Sequence, residues 1–297
     1  MNAFIILMTI KHLVISGGGP SMIQSLGAIQ TLCESEYIRL KDIESIYGTS
    51  AGAIIGLILC LKYDFETLYD FIIKRPWHKI FSIQVQDIFD AYTKKGIFNM
   101  ETIEKCFKPL FEAKDLSVTM TLEELYEYSK IELHLFAFEI NEFQIEDISY
   151  LTHPQLSVLQ AITMTAGLPI LFTPICIGDK CYTDGGIVCN YPLKYCIESG
   201  KNADEIFGFK NNFDNSNKSN ITEDSNLLDY IMSFLFKVIH SLSIDHTQPT
   251  IQLELNLTTA SMNLNYFKNA LKNVETRIEL FQNGVETAKQ FLSNLVS

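Results

Sequence analysis

The chain has 297 residues, of which 47% are hydrophobic and 20% charged, enough to bury a substantial core and ordinary for a soluble globular protein. Its net charge of -12 excludes nucleic acid as the main partner, because a phosphate backbone wants a basic face, and argues against broad adhesion to anionic membranes. No run approaches the roughly 20 apolar residues of a membrane span.

The first apolar stretch, Ala3 to Met8, lacks a preceding basic region and a small-residue cleavage site, so a buried strand or its lead-in is expected there rather than a signal peptide. Lys11 to Ser16 is a β-branched, apolar strand that ends in Gly17-Gly18-Gly19. Ser21 to Ser35 has helical spacing, with Met22, Leu26, Ile29 and Leu32 on one face. Ile43 to Tyr47 is the next strand and Ala51 to Tyr63 the next helix. Right-handed crossover sets these two strands side by side and parallel, so the glycine turn and Ser50 meet at one edge of the sheet. Phe65 to Phe111 reads as helical with a break at Arg75-Pro76. Thr121-x-x-Glu124 is a capping box for a short helix to Tyr128.

Further on, Ile131 to Ile140 alternates as a strand, and Ser157 to Thr165 is a helix stopped by Gly167 and Pro169. Ile175 to Tyr182 reads as a hairpin around Gly178-Asp179, with Cys176 opposite Cys181 as neighbours without a bond. The seven cysteines are odd in number and lack a C-x-x-C pair or an interspersed histidine. They read as reduced thiols of a cytoplasmic protein, not as a zinc site. Asp204 to Phe209 is a late strand, Asn211 to Asn226 a polar surface loop, Leu227 to Leu242 an apolar helix, Ile251 to Leu257 an edge strand, and Asn273 to Leu295 a closing helix. With no repeat and no linker, residues 1–297 are expected to form one α/β domain, its core spanning about 11–210.

Gly48-Thr49-Ser50-Ala51-Gly52 carries the chemistry. A serine on a tight strand-to-helix turn holds its hydroxyl clear of the backbone, and the flanking glycines avoid the clash a Cβ would make. The helix that follows points unpaired N–H groups at the same place. Such a serine needs oxyanion donors and a base. Gly17, Gly18 and Gly19 offer unshielded N–H groups, and Ala51 offers another. The glycines do not fit a nucleotide site: Met22 stands where Rossmann spacing needs glycine, and the Gly-Lys-Ser/Thr of a P-loop is absent. For the base, Asp184 in Tyr182-Thr183-Asp184-Gly185-Gly186 can approach another segment closely, although Asp-Gly-Gly alone is a common turn.

Taken together these motifs resemble the patatin-like phospholipase family. Gly17-Gly18-Gly19, Gly48-x-Ser50-x-Gly52 and Asp184-Gly185-Gly186 carry the resemblance. It is supported by Met164-Thr165-Ala166-Gly167-Leu168-Pro169, by Asn190-x-Pro192, and by Gly284 to Ala288 in the closing helix. The resemblance implies a three-layer α/β/α fold with a mostly parallel central sheet. It further implies an acyl hydrolase for lipids or phospholipids, working without cofactor or metal. Ser50 would be the nucleophile, Asp184 the base, and the first-strand glycines the oxyanion hole. Ser21 and Met22, after Pro20, depart from the basic residue and glycine usual after the family's glycine turn.

Two alternatives stand beside this. A Ser-His-Asp esterase would draw on His240 or His246, both downstream of Asp184. A catalytically silent fold would bind without hydrolysing, and a fluorophosphonate probe on Ser50 separates it from an enzyme. Leu227 to Leu242 and Pro76 to Phe81, the latter with Trp77, read first as core packing, and otherwise as a lid or a transient membrane-surface contact.

Overall fold

The computed structural model describes residues 9–213, 221–243, 249–259 and 263–296. The N-terminal stretch before residue 9 and His246 therefore lie outside the described residues. The chain begins with β1 (His12–Ile15), the glycine turn, and α1 (Met22–Glu34), then β2 (Ser45–Thr49) and α2 (Ala51–Cys60). β1 and β2 pair in parallel, Ile15 opposite Gly48, as the crossover rule requires.

The next segment is more broken than its composition implies. Helices α3 (Phe65–Lys74), α4 (Trp77–Ile80) and α5 (Val85–Lys94) lead into a short strand, β3 (Gly96–Phe98), and then α6 (Met100–Glu112). The expected break at Arg75-Pro76 is present. The β3 strand was not expected, because three residues are too few for periodicity to register. α7 (Leu122–Ser129) carries the Thr121/Glu124 capping box, and β4 (Glu132–Glu139) follows it.

β5 (Gln144–Ile148) folds back antiparallel on β4. It escaped the sequence pattern because Glu146 and Asp147 interrupt the apolar alternation. After α8 (Val158–Ala166) comes β6 (Ile170–Phe172), which pairs with β3 away from the main sheet. The hairpin β7 (Ile175–Ile177) and β8 (Lys180–Asp184) sets Cys176 opposite Cys181. These two cysteines are joined in a disulfide, whereas Cys33, Cys60, Cys106, Cys189 and Cys196 are free. The expectation that all the thiols stay reduced is corrected here, since facing positions in a tight hairpin bring the two sulfurs together.

The remainder is α9 (Leu193–Glu198), β9 (Ile206–Phe213), α10 (Leu227–Ser243), β10 (Glu254–Thr259), α11 (Leu264–Lys272) and α12 (Val274–Val296). β9 runs four residues beyond the expected end at Phe209. Asn211 is therefore a buried strand residue and not the start of a polar loop.

The main sheet has the order β10-β9-β1-β2-β4-β8-β7. The run from β10 through β4 is parallel, and β8 and β7 are antiparallel to their neighbours. Alternate strand residues feed two cores. Leu13, Ile15, Ile46, Leu133, Leu135, Phe207 and Leu255 pack into a large cluster under α1, α2, α6, α8 and α12. Val14, Tyr47, Phe136 and Ile206 pack on the other face against Leu193 and Cys196 of α9. Both faces of the strands are covered, which is why they read as almost continuous apolar runs. This is the expected α/β/α layering with a mostly parallel centre.

Candidate active site

Ser50 and Asp184, 134 positions apart, are joined by a hydrogen bond, and the strand register explains how. Phe136 of the long β4 opposes Thr49, and the next residue, Ala137, opposes Asp184. β2 and β8 thus meet along β4 and deliver their ends to one point. The Ser50 hydroxyl donates to Asp184 Oδ2 at 2.6 Å. The other carboxylate oxygen, Oδ1, accepts from the Gly186 amide at 2.7 Å.

Ser50 sits in a strained backbone conformation, φ 52° and ψ -120°, which costs on the order of 1–3 kcal/mol and survives only when its surroundings enforce it. The enforcement is visible. The Ser50 amide donates to Thr165 Oγ1, whose hydroxyl donates in turn to the Phe136 carbonyl. Thr49 Oγ1 donates to the Cys189 carbonyl. At Gly52 a Cβ would fall 2.1 Å from the Ile15 carbonyl oxygen, so α2 can start against β1 only without a side chain there.

Asp184 is fully buried. Burial pushes its carboxyl up to about 6, against the opposing pull of the Ser50 and Gly186 hydrogen bonds. A carboxylate with a raised proton affinity is a better base toward a hydroxyl than one of ordinary pKa. Among the described residues, no histidine hydrogen-bonds Ser50 or Asp184. His12 bonds Ser45, and His134 bonds Asp147 while stacking on Tyr47. His240 falls within α10, but its side chain is outside the described residues.

The glycine turn lies directly against the serine, since a Cβ on Gly17 would stand 3.2 Å from the Ser50 Cβ. Its donors are not equivalent. The Gly17 amide already donates to the Asn190 carbonyl at 2.9 Å, so of the four amides expected as oxyanion donors this one has a backbone acceptor. The Gly17 carbonyl accepts from Asn190 Nδ2 at 3.3 Å and from Asn211 Nδ2 at 3.0 Å. Ser21, where the resemblance leads one to expect a basic residue, is buried and ties down the Gly18 carbonyl through its amide and its hydroxyl, at 3.2 and 3.0 Å. Asn211 escaped sequence reasoning because it opens an Asn-rich run that reads as a loop.

An apolar cluster borders the site. Leu168, Met232, Phe236 and Ile239 pack with Ile187 and Phe267. Ile187 is next but one to Gly185, and Phe267 occupies the space a Cβ on Gly19 would need. α10 therefore presents its inner face to the aspartate turn, while α11 brings Phe267 against the glycine turn. The segment from Trp77 to Phe81 does not join it. Trp77 and Phe81 are half-buried against the large core, with Trp77 Nε1 donating to the Ile72 carbonyl. Of the two segments considered for a lid, this one is core packing.

A serine on a tight strand-to-helix elbow, bonded directly to a buried aspartate at the edge of a mostly parallel sheet, with no histidine bonded to either among the described residues, defines an α/β protein with a serine–aspartate pair. Residues 13–197 match the patatin-like phospholipase family, and the chain belongs to that family. A probable lipid hydrolase of Invertebrate iridescent virus 6 is 29% identical over 191 residues, 63% of this chain and 63% of that protein. The match thus spans less than two thirds of the viral relative. An uncharacterised protein of Acanthamoeba polyphaga mimivirus is 23% identical over 296 residues, 97% of this chain and 95% of its own length. The crystal structure of VipD from Legionella pneumophila superposes with a TM-score of 0.59 at 19% identity, covering 96% of this chain and 67% of that one. That likeness concerns the fold.

Proposed function

We propose that the protein hydrolyses fatty-acyl esters of lipids, as a phospholipase A-type carboxylic ester hydrolase, through an acyl-serine intermediate on a Ser50–Asp184 dyad. The 2.6 Å contact between the serine hydroxyl and a carboxylate buried enough to favour a proton carries this reading. Asp184 takes the Ser50 proton as Oγ attacks the ester carbonyl. The oxyanion is met by the N–H groups of Gly18, Gly19 and Ala51. Collapse of the tetrahedral species expels the alcohol, which leaves with the proton held by Asp184. Water, deprotonated by the same carboxylate, then attacks the acyl-serine and releases the fatty acid.

Met232 and Phe236 pack with Phe267 in a buried apolar cluster beside the dyad, and no metal or cofactor enters the scheme. We further propose transient contact with a lipid surface through α5. Val85, Ile88, Phe89 and Tyr92 follow helical i, i+3, i+4, i+7 spacing, yet are 72, 60, 71 and 94% exposed. An apolar stripe normally faces a core, and turned outward it fits an interface. α5 leads into β3, whose partner β6 begins three residues after Gly167, the residue whose carbonyl accepts from the Asp184 amide. α5 is thereby connected, through β3 and β6, to the segment that holds the Asp184 amide. A lipid panel assayed with wild type, Ser50→Ala and Asp184→Asn tests the reading, and activity persisting in Ser50→Ala would sink it.

A further inference from the structure

We propose that Asn190 and Asn211 are positioning residues of the oxyanion hole, gripping the Gly17 carbonyl from behind so that the Gly18 N–H is held in the direction the substrate oxyanion needs. The inference rests on the Ser50–Asp184 reading above. In a planar trans peptide the carbonyl of one residue and the N–H of the next point in opposite directions. The Gly17 carbonyl and the Gly18 N–H belong to one such unit. Fixing one end therefore aims the other.

The grip is built from three parts of the chain. Asn190 follows the Asp-Gly-Gly turn, Asn211 belongs to β9, and Gly17 opens the turn after β1. Gly17 is buried, and a single donor would satisfy its carbonyl. One bond alone would leave the peptide free to pivot about it. Two carboxamides, at 3.3 and 3.0 Å, remove that freedom. They also polarise the peptide, which strengthens its N–H as a donor. Asn211 is itself set by its amide, which donates to Ser16 Oγ at 2.8 Å. The Asn190 side chain fits between the two turns, with its Oδ1 2.6 Å from where a Gly17 Cβ would stand and 3.0 Å from a Gly186 Cβ. It thus couples the donor loop to the turn that carries the base. Ser21 does for the Gly18 carbonyl, and hence for the Gly19 N–H, what the asparagines do for Gly17.

The test uses the full chain and p-nitrophenyl butyrate, with kcat and KM read separately. Asn190→Asp and Asn211→Asp keep the volume and remove the Nδ2 donor. A misplaced oxyanion donor is expected to lower kcat about 10-fold in each variant and about 100-fold in the double variant, with KM within about threefold of wild type. Fluorophosphonate labelling of Ser50 is expected to slow in parallel. A protonated carboxyl regains a donor, so the kcat of Asn211→Asp relative to wild type should recover as pH falls. Asn190→Ser and Asn211→Ser carry the same kcat test if a carboxylate at either place prevents folding. A folded double variant with kcat within twofold of wild type overturns the proposal, as does a loss confined to KM. Wild type that does not hydrolyse the ester, or Ser50→Ala that does, overturns the dyad and the positioning role with it.

Discussion

Replacing Asp184 by asparagine is expected to make the protein more stable while abolishing its activity. Asparagine keeps the volume, can still accept from the Gly186 amide, and places an amide where the Ser50 hydroxyl can accept. It removes only the charge. The folded-state pKa of Asp184, about 6, lies above the ordinary 3.8 because the carboxyl is fully buried. Such a group favours the folded state when protonated, so its contribution is fully present below about 3.8 and is lost as pH rises through about 6. The shift of about two units makes the ionised carboxylate destabilising by about 3 kcal/mol at pH 8. At pH 5 about half of that penalty remains by the same linkage. Urea denaturation of wild type and Asp184→Asn at pH 8 and pH 5 reads the difference directly. The asparagine variant should gain more at pH 8 than at pH 5, while ester hydrolysis falls by about 10²- to 10⁴-fold, the range of a lost general base. Equal stability changes at the two pH values would refute the account of a base whose proton affinity is raised by burial.

The pH–rate profile should rise with pH through about 6 as Asp184 ionises, and its acid limb should disappear from whatever residual rate Asp184→Asn shows. Replacing Val85, Phe89 and Tyr92 together by serine should weaken co-sedimentation with phospholipid vesicles while hydrolysis of a soluble ester stays at the wild-type rate. Unchanged vesicle binding removes α5 from the proposed contact. Arg277 is buried and donates to the carbonyls of Ile73, Arg75, Ala270 and Asn273, closing the ends of α3 and α11. Arg277→Met should cost about 3 kcal/mol in denaturant titration, because it leaves several carbonyls without the charged donor that satisfied them.

The stripe on α5 shows where pattern reading stops. Its spacing is legible as an amphipathic helix, but periodicity reports which residues share a face and not whether anything covers it. Pro76 to Phe81 and Leu227 to Leu242 were weighed as one kind of segment from their composition. The folded chain separates them: Trp77 and Phe81 pack on the core, while α10 covers the site with Met232 and Phe236 and leaves Leu227, Tyr230 and Phe234 exposed on its outer side.

The layered α/β/α fold came from the family resemblance, whereas local chemistry let the sequence by itself determine the serine elbow and the glycine turn and offer Asp184 as the candidate partner of Ser50. Each is written in a few adjacent residues whose backbone demands are severe. A glycine beside Ile15 and a strained serine have few alternatives, so short motifs suffice, and the common Asp-Gly-Gly turn gains meaning beside them. The tertiary structure alone decided which amides of the glycine turn are already bonded and which side chains hold its carbonyls. Gly17 is spent on Asn190, and Asn211 leaves an apparent loop to join β9 because that strand continues alongside β10 to Phe213. Such roles depend on hydrogen bonds between segments nearly 200 residues apart. Local sequence carries no record of distance in space.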